Sequence, residues 1–200
     1  MRLNAIYTRT GDGGQTGLGD GSRRSKCDAR INAIGDVDET NCAVGIARLR
    51  IRDTDDLILT AIEKTLAVVQ NDLFDVGADL CLPMAPVESS KSPLRIVAPQ
   101  VDSLERAIDS LVDKLNPLKS FVLPGGTPGS AALHQARAVC RRAERSIVAL
   151  VSLENEQVNR YALAYVNRLS DYLFVAARAC NNLGRTDVLW VPGAHQVKNA

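Results

Sequence analysis

Four groups of residues in this chain have the types and spacing to handle anions. The first is Thr8-Arg9-Thr10-Gly11-Asp12-Gly13-Gly14-Gln15-Thr16-Gly17, with Lys26 shortly downstream. Glycine crowds the stretch from residue 10 to residue 21. Glycine admits positive φ and lets main-chain N–H groups approach a ligand closely. Such N–H groups, with hydroxyls and two cations, suit a polyphosphate. The loop is not a Walker loop: the Gly-x4-Gly-Lys-Ser/Thr spacing is missing and no strand–loop–helix unit follows. A purely structural arm is the plainer alternative.

The second group is Arg137-Ala-Val-Cys-Arg141-Arg142-Ala-Glu144-Arg145. Arg137, Arg141 and Arg145 recur every four residues, so on a helix they form one stripe. Like charges on a stripe repel unless an anion or carboxylate lies between them, and the guanidinium fork grips both with paired hydrogen bonds. A solvated helix face is the alternative. The third group is Tyr165-Val-Asn167-Arg168-Leu-Ser170-Asp171-Tyr172-Leu-Phe174, polar residues inside an apolar helix. It reads equally as a satisfied core network or as a ligand contact. The fourth, Gly35-Asp36-Val37-Asp38-Glu39-Thr40-Asn41, offers three acids that could meet the arginine stripe or stay solvated.

Hydrophobic spacing predicts the elements that carry these groups. A helix is expected over 27–51 from Ile31, Ile34, Val37, Asn41 and Val44. A second, over 56–80, carries Ile62, Leu66, Val69, Leu73, Val76 and Leu80 in alternating steps of four and three, a packed seam. Pro83, Pro86 and Pro93 mark a long loop over 81–98. A third helix is expected over 100–115, ended by Pro117. Phe121-Val-Leu-Pro-Gly-Gly126 reads as a short extended piece and turn. Thr127-Pro128 then caps a fourth helix to about 152. The fifth is expected from about 156 to 183, with Gly184 at the stop position. The fold class is therefore all-α, a five-helix bundle with a glycine-rich N-terminal loop. It is one domain over 1–200: loop 1–26, bundle 27–184, weakly patterned tail 185–200.

Composition limits what the bundle can do. The 200 residues are 46% hydrophobic, enough for a core, and the formal net charge is +1. That balance argues against a global basic field, and so against nonspecific nucleic-acid or membrane-surface binding. No apolar run reaches bilayer-spanning length, and Met1–Tyr7 lack the apolar stretch of a secretory signal, which predicts a cytoplasmic protein. The five dispersed cysteines suggest neither a disulfide framework nor a Cys-x-x-Cys site, and read as buried, reduced residues. With only His134 and His195 present, Glu-x-x-His di-iron chemistry, zinc clusters and Ser/His/Asp sets find no support. His134 reads as structural.

Taken in order, the motifs resemble the PduO-type ATP:cob(I)alamin adenosyltransferases. The matching stretches are Tyr7–Thr16, Lys26, Gly35–Glu39, Asn71-Asp-Leu-Phe74, Phe121–Gly126, Arg137–Arg145 and Asn167–Phe174. Each is weak alone; their joint order is specific. The resemblance implies a five-helix bundle that assembles as a homotrimer, with active sites between subunits. It implies transfer of the 5′-deoxyadenosyl group of ATP to the Co(I) of reduced cobalamin, giving adenosylcobalamin and triphosphate, with Mg²⁺ present and a reductase as electron donor. On it, Thr8, Arg9, Thr10, Gly11, Thr16, Gly17 and Lys26 hold ATP from the loop. Arg141, Arg142, Glu144, Arg145 and Asn167 hold it from the neighbouring subunit. Arg137 forms an intersubunit ion pair with Asp38, and Phe121 faces the corrin beneath cobalt. Gly17 departs from the family, where a hydroxyl residue is frequent. The reaction needs no Ser/His/Asp set, since the cobalt is the nucleophile. The rivals are a non-catalytic helical ATP-binding regulator and an oligomeric scaffold whose arginines pair with acids.

Overall fold

The computed structural model describes residues 6–52, 54–84, 93–153 and 156–196. Five helices dominate: α1 (Ala29–Ile51), α2 (Leu57–Cys81), α3 (Ala98–Val112), α4 (Pro128–Val151) and α5 (Arg160–Cys180). The ends of α1, α2, α4 and α5 show why they begin where they do. Asp28, Asp56, Thr127 and Asn159 sit at the N-caps with extended backbone, each side chain accepting a first-turn N–H. The core is one cluster drawn from all five helices, with α4 packed between α1 and α5, α2 against α1, and α3 against α5. The α2 seam is buried at all six expected positions. In the first turns of α1 the buried positions are Arg30 and Ala33; Ile31 and Ile34 are only half-buried.

Three boundaries differ from expectation. Helix α3 starts earlier, at Ala98, and its C-terminal end tightens into i→i+3 turns at Lys114 and Leu115. Helix α5 starts at Arg160, not near 156, because Asn159 takes the cap and Glu156 is drawn aside into an ion pair. Its C-terminal end closes as expected: Gly184 has φ +78 and its N–H bonds the Arg178 carbonyl at 2.8 Å. Part of the proline-rich loop, including Pro86, lies outside the described residues.

The glycine-rich segment is more ordered than a plain loop. Two short strands, β1 (Gln15–Gly17) and β2 (Arg23–Ser25), pair antiparallel with Thr16 opposite Arg24. Gly19 and Gly21 fall in the turn between them, where Asp20 accepts the Ser22 N–H at 2.8 Å, while Gly11, Gly13 and Gly14 precede β1 and Gly17 ends it opposite Arg23. Leu18 is buried, and the Gly19 N–H bonds the Cys81 carbonyl at 2.8 Å, pinning the hairpin to the end of α2. The expectation of buried cysteines also needs correction: Cys140 and Cys180 are buried, but Cys27 and Cys42 are exposed. Burial pushes the Cys180 thiol up to about 12, so it is inert.

Candidate functional site

The N-terminal loop sits at the end of the bundle formed by the start of α1, the end of α2 and the start of α5. Its hold on that end is electrostatic. Arg30 is 1% exposed and spends its whole guanidinium on fixed acceptors. It donates to Glu156 at 2.5 and 3.0 Å, to the Leu80 carbonyl at 2.8 Å and to the Gln157 carbonyl at 3.1 Å. Glu156 also accepts from Arg24 of β2 at 3.0 Å. One carboxylate therefore ties β2 and α1 to the approach to α5, and Lys26 lies between the two tied arginines.

Within the loop, Lys26 N–H bonds the Gly14 carbonyl at 2.9 Å, and the Lys26 ammonium lies where a side chain on Gly11 would meet it. Arg23 donates to the carbonyls of Thr10 and Gln15, at 2.8 and 3.3 Å. The hydroxyls of Thr8 and Thr10 are 2.9 Å apart. Arg9 adopts φ +58, a left-handed conformation uncommon for a residue with a side chain. Thr16 and Gly17 lie in β1 rather than in the loop proper. Among the described residues, neither Arg9 nor Lys26 has an acid partner. The structure thus brings together Thr8, Arg9, Thr10, Gly11 and Lys26 as a solvent-facing cationic loop.

The arginine stripe lies midway along α4. Arg141 is exposed, with no ion pair among the described residues, and its carbonyl accepts from Arg145 at 2.9 Å. Glu144 accepts from Asn167 Nδ2 at 2.7 Å, joining α4 to α5. The third group thus resolves in part: Asn167 is exposed on this seam, while Tyr165 is buried with its hydroxyl donating to Asp72 at 2.8 Å. Arg142 points away from the stripe. It pairs with Asp36 at 3.1 Å and with Glu39, and Ser146 also donates to Asp36. Two of the three early acids of α1 therefore serve as counter-ions to α4, and the third, Asp38, is exposed.

Arg137 is half-buried, and its Nε is a buried donor with no partner among the described residues. Burial first, and then the neighbouring charge of Arg141, push its guanidinium below its ordinary value. Behind it, His134 is buried against the Phe174 ring, and burial, reinforced by the charge of Arg137, pushes its imidazole below the ordinary value.

Phe121 lies at the other end of the bundle. The start of α4 there meets the end of α1, since Gly129 leaves room only for Ile51, and Thr127 bonds Cys180 and Asn181 at the end of α5. The phenyl ring is 76% exposed. With a rise of about 1.5 Å per residue, the 24 residues of α4 put roughly 36 Å between this end and the loop. No hydrogen bond or ion pair among the described residues joins the loop, the stripe and Phe121 within one chain.

Sequence reasoning missed three residues here. Arg30 occupies a position on the buried stripe of α1, an anomaly visible in the pattern. Glu156 gives no local signal. Trp190, which touches Phe121, is the single tryptophan of the chain.

Comparison with known proteins adds the relatives. The sequence model of the cobalamin adenosyltransferases matches residues 6–180. A corrinoid adenosyltransferase of Mycobacterium bovis is 51% identical over 194 residues, 96% of each chain. A cobalamin adenosyltransferase of Cupriavidus metallidurans is 43% identical over 190 residues, 94% of this chain and 95% of that one. Among solved structures, a variant of the PduO-type ATP:corrinoid adenosyltransferase of Lactobacillus reuteri, complexed with cobalamin and ATP, superposes with a TM-score of 0.79 at 39% identity, covering 93% of this chain and 99% of that one. A five-helix bundle, the ordered motifs and this match over nearly the whole length agree, and the chain belongs to the cobalamin adenosyltransferase family.

Proposed function

We propose that this protein transfers the 5′-deoxyadenosyl group of ATP to the Co(I) of reduced cobalamin, at sites shared between subunits of a homotrimer. The observation that carries the reading is a set of cations (Arg9, Lys26 and Arg141) held towards solvent without acid partners among the described residues, in a chain of this family. Together with Arg145, and with the hydroxyls and N–H groups of Thr8, Thr10 and Gly11, they suit the triphosphate of ATP. Thr16 and Gly17 contribute backbone from β1. Arg142 pairs with Asp36 and Glu39, which holds α1 against α4 and fixes its guanidinium as a further ATP-site cation. Glu144 and Asn167 orient each other beside the stripe.

The chemistry asks little of the protein in proton transfer. A one-electron donor of the reductase class converts Co(II) to Co(I). The Co(I) electron pair forms the Co–C5′ bond while the C5′–O5′ bond breaks, and that bonding pair leaves on the triphosphate, with cobalt formally Co(III). The protein must bring the two reactants into line and stabilise the leaving charge. Among the described residues no group of three or more His, Cys, Asp or Glu forms a metal cage. Mg²⁺ would accompany ATP on the phosphate oxygens, as is usual for this ion.

Sharing of sites is supported by the placement of the parts. Reacting atoms must come within about 3–3.5 Å. The loop and Phe121 of one chain stand a bundle length apart, so the loop of one subunit would meet the stripe and Phe121 of the next. The orphan Nε of Arg137 and the exposed carboxylate of Asp38 fit an ion pair across that boundary. Charge reversal at Arg137 or Asp38 alone should abolish activity, and the double reversal should recover a measurable part of it in the steady-state assay. Truncating Arg141 to Ala removes a charge-assisted contact of about 1.5–3 kcal/mol, so ATP affinity measured by calorimetry should fall roughly 10- to 150-fold.

The direct test is anaerobic mixing with ATP, Mg²⁺ and reduced cobalamin, followed by the corrinoid absorption spectrum. Formation of a light-sensitive alkylcobalamin with release of triphosphate is the expected result. ATP binding without conversion would favour the regulator; no ATP binding would favour the scaffold. No helix among the described residues is long and apolar enough to cross a membrane, which fits a cytoplasmic place for the reaction.

A further inference from the structure

The segment after α5 is a brace rather than a loose tail. Its base is fixed: Arg178 and Asp187, both nearly buried, pair at 2.8 Å, and Arg178 also donates to the Asn116 carbonyl at 2.9 Å. Asn181 donates to Asp187 at 3.0 Å and accepts from the Thr127 N–H at 3.0 Å. From that base, residues 188–190 run antiparallel to 121–123. The Leu123 N–H bonds the Val188 carbonyl at 2.8 Å, and the Trp190 N–H bonds the Phe121 carbonyl at 2.7 Å. Val122 bridges Leu189, and the Ser120 hydroxyl donates to the Trp190 carbonyl at 2.7 Å.

This pairing puts the two rings together. The Trp190 and Phe121 centroids are 6.1 Å apart, tilted by 54°, within the range in which aromatic pairs attract. Phe121 is otherwise free: its ring stands largely in solvent and has two side-chain torsions to choose from. Trp190 remains 45% exposed, and with Leu123, Leu189 and Val191 it borders an apolar-walled recess of about 540 Å³.

We propose that Trp190 is a positioning residue for the corrin reaction: its indole holds the Phe121 ring in the orientation that meets the lower face of the corrin. This rests on the role that the family resemblance implies for Phe121, as the ring that faces the corrin beneath cobalt. On that role, a ring that covers the lower face of the corrin and keeps water and a lower axial ligand off it, leaving four-coordinate Co(II), has to stay put while the corrin settles on it. Nothing else on the Phe121 loop offers it a rigid aromatic neighbour among the described residues.

The test uses the full-length protein and the variants W190A, W190F and F121A, with cob(II)alamin and ATP as probes. The readouts are kcat, ATP affinity and the low-temperature electron paramagnetic resonance signature of four-coordinate Co(II). W190A should lower kcat and the four-coordinate fraction together by about tenfold, the scale of one lost aromatic contact. ATP affinity should stay within about twofold of wild type, and W190F should restore most of the signature. W190A with an unchanged signature overturns the proposal, as does a parallel loss of ATP binding, which would mark a merely structural role. Should W190A fail to fold, W190F decides: full loss of the signature despite a retained ring overturns the proposal, and retention supports it. F121A separates the two levels. If F121A keeps the signature, the reading of Phe121 fails and takes this proposal with it; if F121A loses it while W190A does not, only the role of Trp190 falls.

Discussion

Replacing Arg30 with alanine is expected to cost about 3–5 kcal/mol of folding stability, the scale for stranding one member of a buried ion pair. The side chain is almost fully enclosed and satisfies Glu156 and two carbonyls at once. Its removal leaves Glu156 with Arg24 alone and leaves the Leu80 and Gln157 carbonyls facing a gap. Urea unfolding should show the loss, and the melting temperature should drop by roughly 6–20 °C, at about 2–4 °C per kcal/mol for a domain of this size. The double change Arg30→Met with Glu156→Gln should recover part of it, because no buried charge is then left without a partner. Arg30→Ala melting within 2 °C of wild type would refute the account. The same variant loosens the support of β2 and Lys26, so ATP affinity should fall even at temperatures where the bundle is folded.

Phe121→Ala is the second large effect, and it is of the opposite kind. The ring is exposed and makes no core contact, so stability should change little. Turnover should fall on the order of a hundredfold, the usual consequence of misplacing a reacting centre by about 1 Å. ATP affinity should stay within a factor of about two, since the loop and stripe proposed to bind the phosphates lie elsewhere on the bundle. Calorimetry with ATP beside the spectral assay measures both. A collapse of ATP binding would show that Phe121 has been given the wrong role.

The parts of this molecule that were legible in the sequence are those whose signals are local. The four-and-three alternation from Ile62 to Leu80 gave α2, and Thr127-Pro128 gave the start of α4, because capping and seam formation involve neighbours within a turn or two. The start of α5 was misplaced because its cause, the Arg30–Glu156 pair, spans 126 residues. The β1–β2 ladder was hidden because glycine content says nothing about which few residues between the turns will pair. At the site, periodicity found the arginine stripe but not its assignments. That Arg142 faces Asp36 and Glu39 while Arg141 stays free depends on how α1 lies against α4. The roles of Phe121 and Lys26 came from the ordered motifs of the family, and the contact between Phe121 and Trp190 from neither, since it joins residues 69 positions apart.

The distance between the cationic loop and Phe121 has a genetic consequence. If each working site takes its loop from one subunit and its aromatic from the next, a chain damaged at one end is still sound at the other. Two dead alleles, one altered at Lys26 and one at Phe121, should then complement when expressed in the same cell, because mixed assemblies regain some sites with both halves intact. Two alleles altered at the same end should not. The same arrangement makes a subunit damaged at both ends a diluting poison: each one incorporated spoils two neighbouring sites, so a mild excess of such a mutant that folds well harms the cell more than a mutant that does not fold.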